Sequence, residues 1–250
     1  MIMQKTKMLN EAVPAPSPFG EGWGGASKPI IYSTPMVQAN LEGRKTLTRR
    51  IVKPQPKEPF IFDKNSNSII ESPGYCVEPI ECPYGQPGDV LWVREKFACT
   101  LGKYEPETTY SYFADSFHWS FYPNDDMKGE TACQWHDEAL AKEVKWKSPR
   151  FMPKSAARIW LQIEEIKVER LQDVTEKDAI AEGVTRFFTI NWRFKNYNNP
   201  DDKSGFLQAI TSFQSLWGKI NGPESWEQNP WVWVVKVKVL STTGRPQSIL

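Results

Sequence analysis

Apolar and polar residues alternate most cleanly near the C-terminus, in Trp231–Leu240 (WVWVVKVKVL), and that period of two predicts a strand. A second alternating run, Arg158–Arg170 (RIWLQIEEIKVER), predicts another. A turn at Gln86–Asp89 leads into a third strand. Its Val90, Trp92 and Arg94 share one face, and Leu91, Val93 and Glu95 share the other. Ile30–Ser33 and Thr46–Val52 (TLTRRIV) read as shorter strands, the latter closed off by Pro54 and Pro56. Helical spacing appears in three places. Met36, Val37, Asn40 and Leu41 fit a short helix with Pro35 in its first turn and Gly43 at its end. In TEKDAIAEG, Thr175 is the N-cap, Asp178 completes a box, Ala179 and Ile180 are candidates for burial, and Gly183 is the stop. Gly205–Ile220 carries Phe206, Ile210, Phe213, Leu216 and Trp217 at spacings of three and four.

The remaining segments set the boundaries. Residues 1–27 end in a Pro/Gly/Ser-rich run with neither period and read as a disordered tail or linker. Its GEGWGG has no strand before it, so it is no nucleotide fingerprint. Residues 28–241 read as one domain, and 242–250 as a C-terminal tail. Two long insertions interrupt the domain. Residues 57–81 read as irregular, and 99–149 as an aromatic stretch with a hairpin and a short helix near Glu138–Val144. Short strands joined by turns, with two or three small helices, predict a mixed α+β fold: a small β-barrel with helices packed outside it.

Composition changes this picture only in part. No run approaches the roughly 18 apolar residues of a membrane helix, and no apolar leader is present, so the expectation is a cytoplasmic protein without a membrane partner. The four cysteines (Cys76, Cys82, Cys99, Cys133) are too few for a disulfide scaffold. With His118 and His136 they make no paired metal-binding pattern, so no metal or other cofactor is expected. The formal net charge of the 250 residues is +1, which excludes binding of nucleic acid by overall charge. It hides patches, however. Arg44–Lys53 and Lys142–Arg158 each carry a net +5, whereas Glu164–Glu182 carries −4. Basic stretches beside aromatics suit a polyanion, and they equally suit a solvated strand edge.

Two features carry candidate chemistry. Lys45 follows the helix-stopping Gly43, close to the Thr46, Thr48 and Arg50 face of the next strand. A desolvated lysine beside a threonine hydroxyl can take its proton and activate it as a nucleophile. Glu182 sits in the last turn of its helix, where the dipole disfavours an anion, so it breaks a local rule. An exposed glutamate tolerated at small cost is the plain alternative. Asp89 reads as a turn residue. Arg94 and Glu95 read equally as a pair flanking the core or as a ligand clamp.

GRKTLTRR resembles the signature of the ASCH-domain superfamily, whose fold is a PUA-like β-barrel. Gly43, Lys45 and Arg50 match its general pattern, and Thr48 stands where that pattern has Glu. GRKTLT (Gly43–Thr48) matches the variant found in the N(4)-acetylcytidine amidohydrolase branch. GDVLWV, LQDVTEKDAIAEG and WVWVVKVKVL are similar to that branch's later segments, in order. The chain resembles longer phage and prophage ASCH proteins further still, in Ser33–Arg50, Cys82–Glu95, Met152–Ile159, Ala179–Gly183 and Asn229–Val234. The resemblance covers well under half of the chain. It implies hydrolysis of an acylated cytidine-like base, with Lys45 as base, Thr48 as nucleophile and Glu182 as acid/base or orienting group. Arg50 or backbone N–H groups would hold the oxyanion. The implied partner is a modified nucleoside or RNA. Arg44, Arg49, Arg50, Arg94, Arg150, Lys154 and Arg158 are expected to contact phosphates or substrate, and Trp92 to stack on a base. A non-catalytic reader of RNA or modified bases, and a phage assembly protein, are the alternatives.

Overall fold

The computed structural model describes residues 27–71, 78–101, 108–115, 145–199 and 201–246. The expected tail up to residue 26 and the helix near 138–144 lie outside the described residues. So do Cys76, Cys133, His118, His136, Trp119 and Trp135, and the Cys99 side chain. The last expected tail residues, 247–250, are outside as well.

The chain forms a mixed assembly of small sheets and three α-helices among the described residues. The main sheet has five strands in the order β1 (Lys28–Ile31), β6 (Val90–Arg94), β9 (Trp160–Arg170), β12 (Trp231–Ser241) and β2 (Leu47–Ile51). Only β1 and β6 run parallel; the other pairs are antiparallel. The two long strands, β9 and β12, pair along nearly their whole length and form the spine. Alternation sorts their side chains. Trp233, Val235 and Val237 enter one core with Leu91, Val93 and Ile163, while Val232 and Val234 enter another beneath two helices. The expected division of β6 is found too: Leu91 and Val93 lie in the first core, Val90 and Trp92 in a third cluster with Trp160.

The expected barrel does not close. β1 and β2 are both edge strands, with no backbone ladder between them among the described residues. A side chain bridges them instead: Arg50 Nη2 on β2 donates to the Ile31 carbonyl on β1 at 2.6 Å. The segment expected to be irregular, 57–81, contains a three-stranded meander of β3 (Phe60–Asp63), β4 (Ser68–Glu71) and β5 (Ile80–Glu81). The apolar runs flanking the polar Lys64–Asn67 turn were the missed signal. β7 (Phe97–Leu101) and β8 (Thr108–Tyr112) form the hairpin expected in the second insertion. β10 (Arg186–Phe188) and β11 (Trp192–Phe194) form another.

Helix α1 spans Thr34–Leu41, with Pro35 in its first turn. Helix α2 spans Glu176–Ala181 and has both halves of the Thr175/Asp178 capping box. Its Ala179 is buried, but Ile180, expected inside with it, is half exposed. Neighbours on a six-residue helix point about 100° apart, so only one faces the core. Helix α3 spans Ala209–Asn221, four residues shorter at its start than the sequence suggests. Gly205 has φ +58, and Phe206 is bridged to Phe194 instead of entering the helix. The Glu176 carboxylate of α2 accepts from the Ala209 N–H (2.7 Å) and the Ile210 N–H (3.3 Å), which ties α3 to α2 through two of its unpaired amides. No helix among the described residues is long and apolar enough to cross a membrane.

Candidate active site

The loop from α1 into β2 and the C-terminal end of α2 meet, and the sequence explains why they can. After α1, Gly43 takes φ +69 and turns the chain so that the Arg44 and Lys45 N–H groups both donate to Ala39 O, at 2.8 and 3.1 Å. After α2, Gly183 takes φ +90, and a Cβ there would lie 2.5 Å from Ala39 Cβ and 3.1 Å from Lys45 Cβ. Only glycine permits both the turn and the approach. The carbonyls left open by the end of α2 are then taken up by this loop. Thr46 N–H donates to Ala181 O (2.9 Å), Arg44 Nη1 to Gly183 O (2.6 Å), and Lys45 Nζ to Glu182 O (3.0 Å). Glu182 broke the dipole rule; the buried Lys45 ammonium at the same helix end compensates for it.

Lys45 and Glu182 form a fully buried ion pair, with Nζ 2.8 Å from Oε2. Nζ also donates to Leu47 O at 2.7 Å, so three acceptors surround one ammonium. Burial lowers the Lys45 pKa, while the Glu182 carboxylate opposes that shift. Arg49 flanks the pair. Its Nη1 lies 3.5 Å from Glu182 Oε1, and its Nη2 reaches Asp178 (3.2 Å) and Glu169 (3.4 Å). The Tyr32 ring lies under two cations, with Lys45 Nζ at 5.3 Å and Arg50 Cζ at 5.6 Å. Burial pushes the Tyr32 hydroxyl well above its ordinary pKa, so it stays a protonated donor.

Thr48 is fully buried on the β2 face that looks toward Tyr32. The two hydroxyls are neighbours, yet neither makes a hydrogen bond of ordinary geometry. They belong to a cluster of buried polar atoms without a hydrogen-bond partner. Glu182 Oε1, Arg49 Nε and Nη1, Arg50 Nε and Trp217 Nε1 are further members, Arg49 Nη1 facing Glu182 Oε1 at 3.5 Å, and Ser33 Oγ, Asn40 Oδ1 and Arg94 Nε are also without a hydrogen bond. Buried polar atoms are ordinarily satisfied, because an orphan costs about 1–3 kcal/mol. Several in one place mark a site kept ready for something else. A small cavity of about 30 Å³ adjoins the ion pairs, walled by Arg49, Arg50 and Glu182 and by Trp217 of α3; Lys45, Thr48 and Tyr32 are not part of its wall.

The expected site residues therefore divide. Lys45, Thr48 and Glu182 gather with Arg44, Arg49 and Arg50. Trp92, Arg94, Arg150, Lys154 and Arg158 gather instead around β6 and the turns before β9. Arg94 stacks on Trp92 (Cζ to ring centre 4.6 Å) and donates to Arg150 O (3.4 Å). Lys154 lies over Trp160 at 5.7 Å. Arg158 makes a two-pronged buried pair with Glu95, at 2.9 and 2.8 Å, beneath the Tyr112 ring. Trp92 is buried against Val90, Ala157 and Trp160. Tyr32 and Trp217 were not foreseen as site residues. Tyr32 directly follows a strand and Trp217 sits on an apolar helix face, so neither differs locally from core. Among the described residues no group of three or more His, Cys, Asp and Glu side chains is placed to hold a metal ion.

Comparison with known proteins adds no family: no family model, no curated protein and no solved structure matches the chain.

Proposed function

We propose that this chain is an ASCH-type hydrolase with a PUA-like fold that removes the acyl group from an acylated cytidine-like base, through Lys45, Thr48 and Glu182. One observation carries the reading: a buried, mutually hydrogen-bonded Lys45–Glu182 pair near a buried threonine hydroxyl whose neighbour is the Tyr32 hydroxyl and which makes no hydrogen bond of ordinary geometry. The approach of the two sheet edges at Arg50 supports the fold.

The chemistry follows from the pair. Moving one proton from Lys45 Nζ to Glu182 across their 2.8 Å contact leaves an amine and a carboxylic acid, and burial that lowers the Lys45 pKa reduces the cost of that transfer. The amine takes the Thr48 proton as Oγ1 attacks the substrate amide carbon. Donors on Arg50 and Tyr32 face the developing oxyanion. The carboxylic acid protonates the departing exocyclic nitrogen, which frees cytidine and leaves a threonine ester. Water cleaves that ester, with the lysine–glutamate pair returning to its starting protonation. Because the site is sealed, turnover includes displacement of the elements that cover it.

A second reading, a binding module for modified bases or RNA, draws on the three acceptors around Lys45 Nζ. They saturate an ammonium and hold it away from base chemistry at rest. Release of acetate from N(4)-acetylcytidine by the purified chain separates the two. Turnover lost in Lys45→Ala and Thr48→Ala supports the hydrolase; no turnover, or turnover unchanged in both variants, leaves the binding module.

A further inference from the structure

The β10–β11 hairpin, which follows α2, differs between its two ends. Its base is tied down. Lys195 N–H donates to Thr185 O (2.9 Å), Thr185 N–H donates to the hydroxyl of buried Tyr197 (2.9 Å), and Phe194 is bridged to Phe206. At the far end apolar side chains face outward. Phe188 and Trp192 pair across the ladder, edge to face at 5.3 Å, yet are 64% and 54% exposed. Ile190 stands in the turn between them and is 92% exposed. Hairpin turns favour Gly, Asn and Asp, so packing does not account for an isoleucine held outward between two exposed rings.

Charge is ordered along the same hairpin. Residues 183–200 include Arg186, Arg193 and Lys195 and no acid. None of the three makes an ion pair among the described residues. Arg186 lies over the Trp192 ring at 4.4 Å, which holds one charge beside the apolar tip. The next acids in the chain are Asp201 and Asp202, and Asp202 is taken up by Asn196 and Ser204. The apolar tip therefore leads and cations follow: Arg186 is two residues, about 7 Å of strand, behind Phe188.

We propose that the β10–β11 hairpin docks this protein onto an anionic lipid surface, with Phe188, Ile190 and Trp192 entering the interface and Arg186, Arg193 and Lys195 meeting lipid phosphates. A bilayer has this same layering, with phosphates above hydrocarbon, and an indole suits the boundary between them. A folded protein partner is a poorer match. A stable protein interface engages roughly 20–30 residues a side, and this tip offers three apolar side chains on a convex turn. A bilayer needs no complementary pocket. The expectation of no membrane partner rested on spanning segments and leaders, which docking of this kind does not use. The proposal goes beyond the hydrolase reading and does not depend on it.

Co-sedimentation with vesicles is the test. The protein is mixed with vesicles of phosphatidylcholine alone, or with about 30% phosphatidylglycerol added. Binding to the anionic vesicles is expected to be at least about tenfold tighter than to the neutral ones, and weaker at about 1 M salt. Ile190→Asp is expected to lower it by about tenfold or more while keeping the wild-type urea midpoint, because the side chain is almost wholly exposed. Arg193→Glu combined with Lys195→Glu is expected to lower it by about tenfold as well. Ile61→Asp on β3, where the isoleucine is 68% exposed, is expected to leave binding unchanged. No binding to anionic vesicles overturns the proposal. So does binding undiminished in Ile190→Asp, or reduced as much by Ile61→Asp. An oligothymidylate bound by the wild type and lost in Trp192→Phe, with vesicles ignored, overturns it in favour of a platform for single-stranded nucleic acid.

Discussion

Among the described residues, buried ion pairs lie at two places, Arg158 with Glu95 and both Lys45 and Arg49 with Glu182, and they differ in what they leave over. In the Arg158–Glu95 pair each carboxylate oxygen takes its own guanidinium donor, at 2.9 and 2.8 Å, and the Tyr112 ring covers the guanidinium at 4.2 Å. In the Lys45–Glu182 pair one carboxylate oxygen is hydrogen-bonded, and the other makes no hydrogen bond and faces Arg49 Nη1 only at a looser 3.5 Å. Thr48, Tyr32, Arg49, Arg50 and Trp217 add further unpartnered atoms around it. Desolvating a charge is costly, so a pair with complete geometry belongs to the scaffold, where any loss is felt as stability. A pair surrounded by unsatisfied groups is poorly explained as scaffold, because an apolar substitute would be as stable or more so. The contrast is the ground for proposing function at the Lys45 end and structure at the Arg158 end, although both arginine-rich segments read alike in the sequence.

Four experiments press on that contrast, in decreasing order of expected effect. Glu95→Ala removes the carboxylate that takes two donors of the buried Arg158 and is expected to cost about 3–5 kcal/mol in urea unfolding. A cost under about 1 kcal/mol would remove the pair from the scaffold. Gly183→Ala forces a side chain into a left-handed backbone position 2.5 Å from Ala39 Cβ. It is expected to cost roughly 2–4 kcal/mol and to reduce turnover, since the loop holding Lys45 must retreat from α2.

The third experiment sets two single-hydroxyl deletions side by side. Tyr112 Oη donates to Ala156 O at 2.8 Å, so Tyr112→Phe is expected to lose about 1 kcal/mol. Thr48 Oγ1 neighbours the Tyr32 hydroxyl but makes no hydrogen bond of ordinary geometry, so Thr48→Val is expected to be neutral or to gain up to about 1 kcal/mol. Equal losses in both would erase the distinction between the two ends.

The fourth uses pH. Burial lowers the Lys45 pKa in the folded chain, so between that value and the ordinary lysine value the unfolded state binds the extra proton. Stability then rises with pH across that window, and the penalty is fully present below it. Unfolding free energies of the wild type and Lys45→Met, compared from pH 8 to 10, should diverge in favour of the wild type as pH rises. Parallel curves would mean that Lys45 titrates as it does in the unfolded chain.

Much of this was legible one element at a time. The period of two gave β9 and β12, the glycine and cap positions gave α1 and α2, and the broken dipole rule singled out Glu182. What the sequence concealed was juxtaposition. Tyr32 is the residue after an ordinary short strand, and Trp217 is one of several apolar residues on an ordinary amphipathic helix. Their relevance comes only from packing against β2. Arg49 and Arg158 both sit in basic stretches, but one reaches three carboxylates, of which Glu182 lines a cavity, and the other pairs with Glu95. Barrel closure was not readable either, because strand composition says nothing about whether β1 and β2 meet through a ladder or through one arginine.

The most direct measurement is acetate release from N(4)-acetylcytidine by wild type and Thr48→Val, with unfolding free energy determined on the same samples. The expected result is release by the wild type and none by Thr48→Val, at equal or higher stability of the variant. A wild type that releases no acetate, or a Thr48→Val that releases it at the wild-type rate, would contradict the assignment of this site to catalysis.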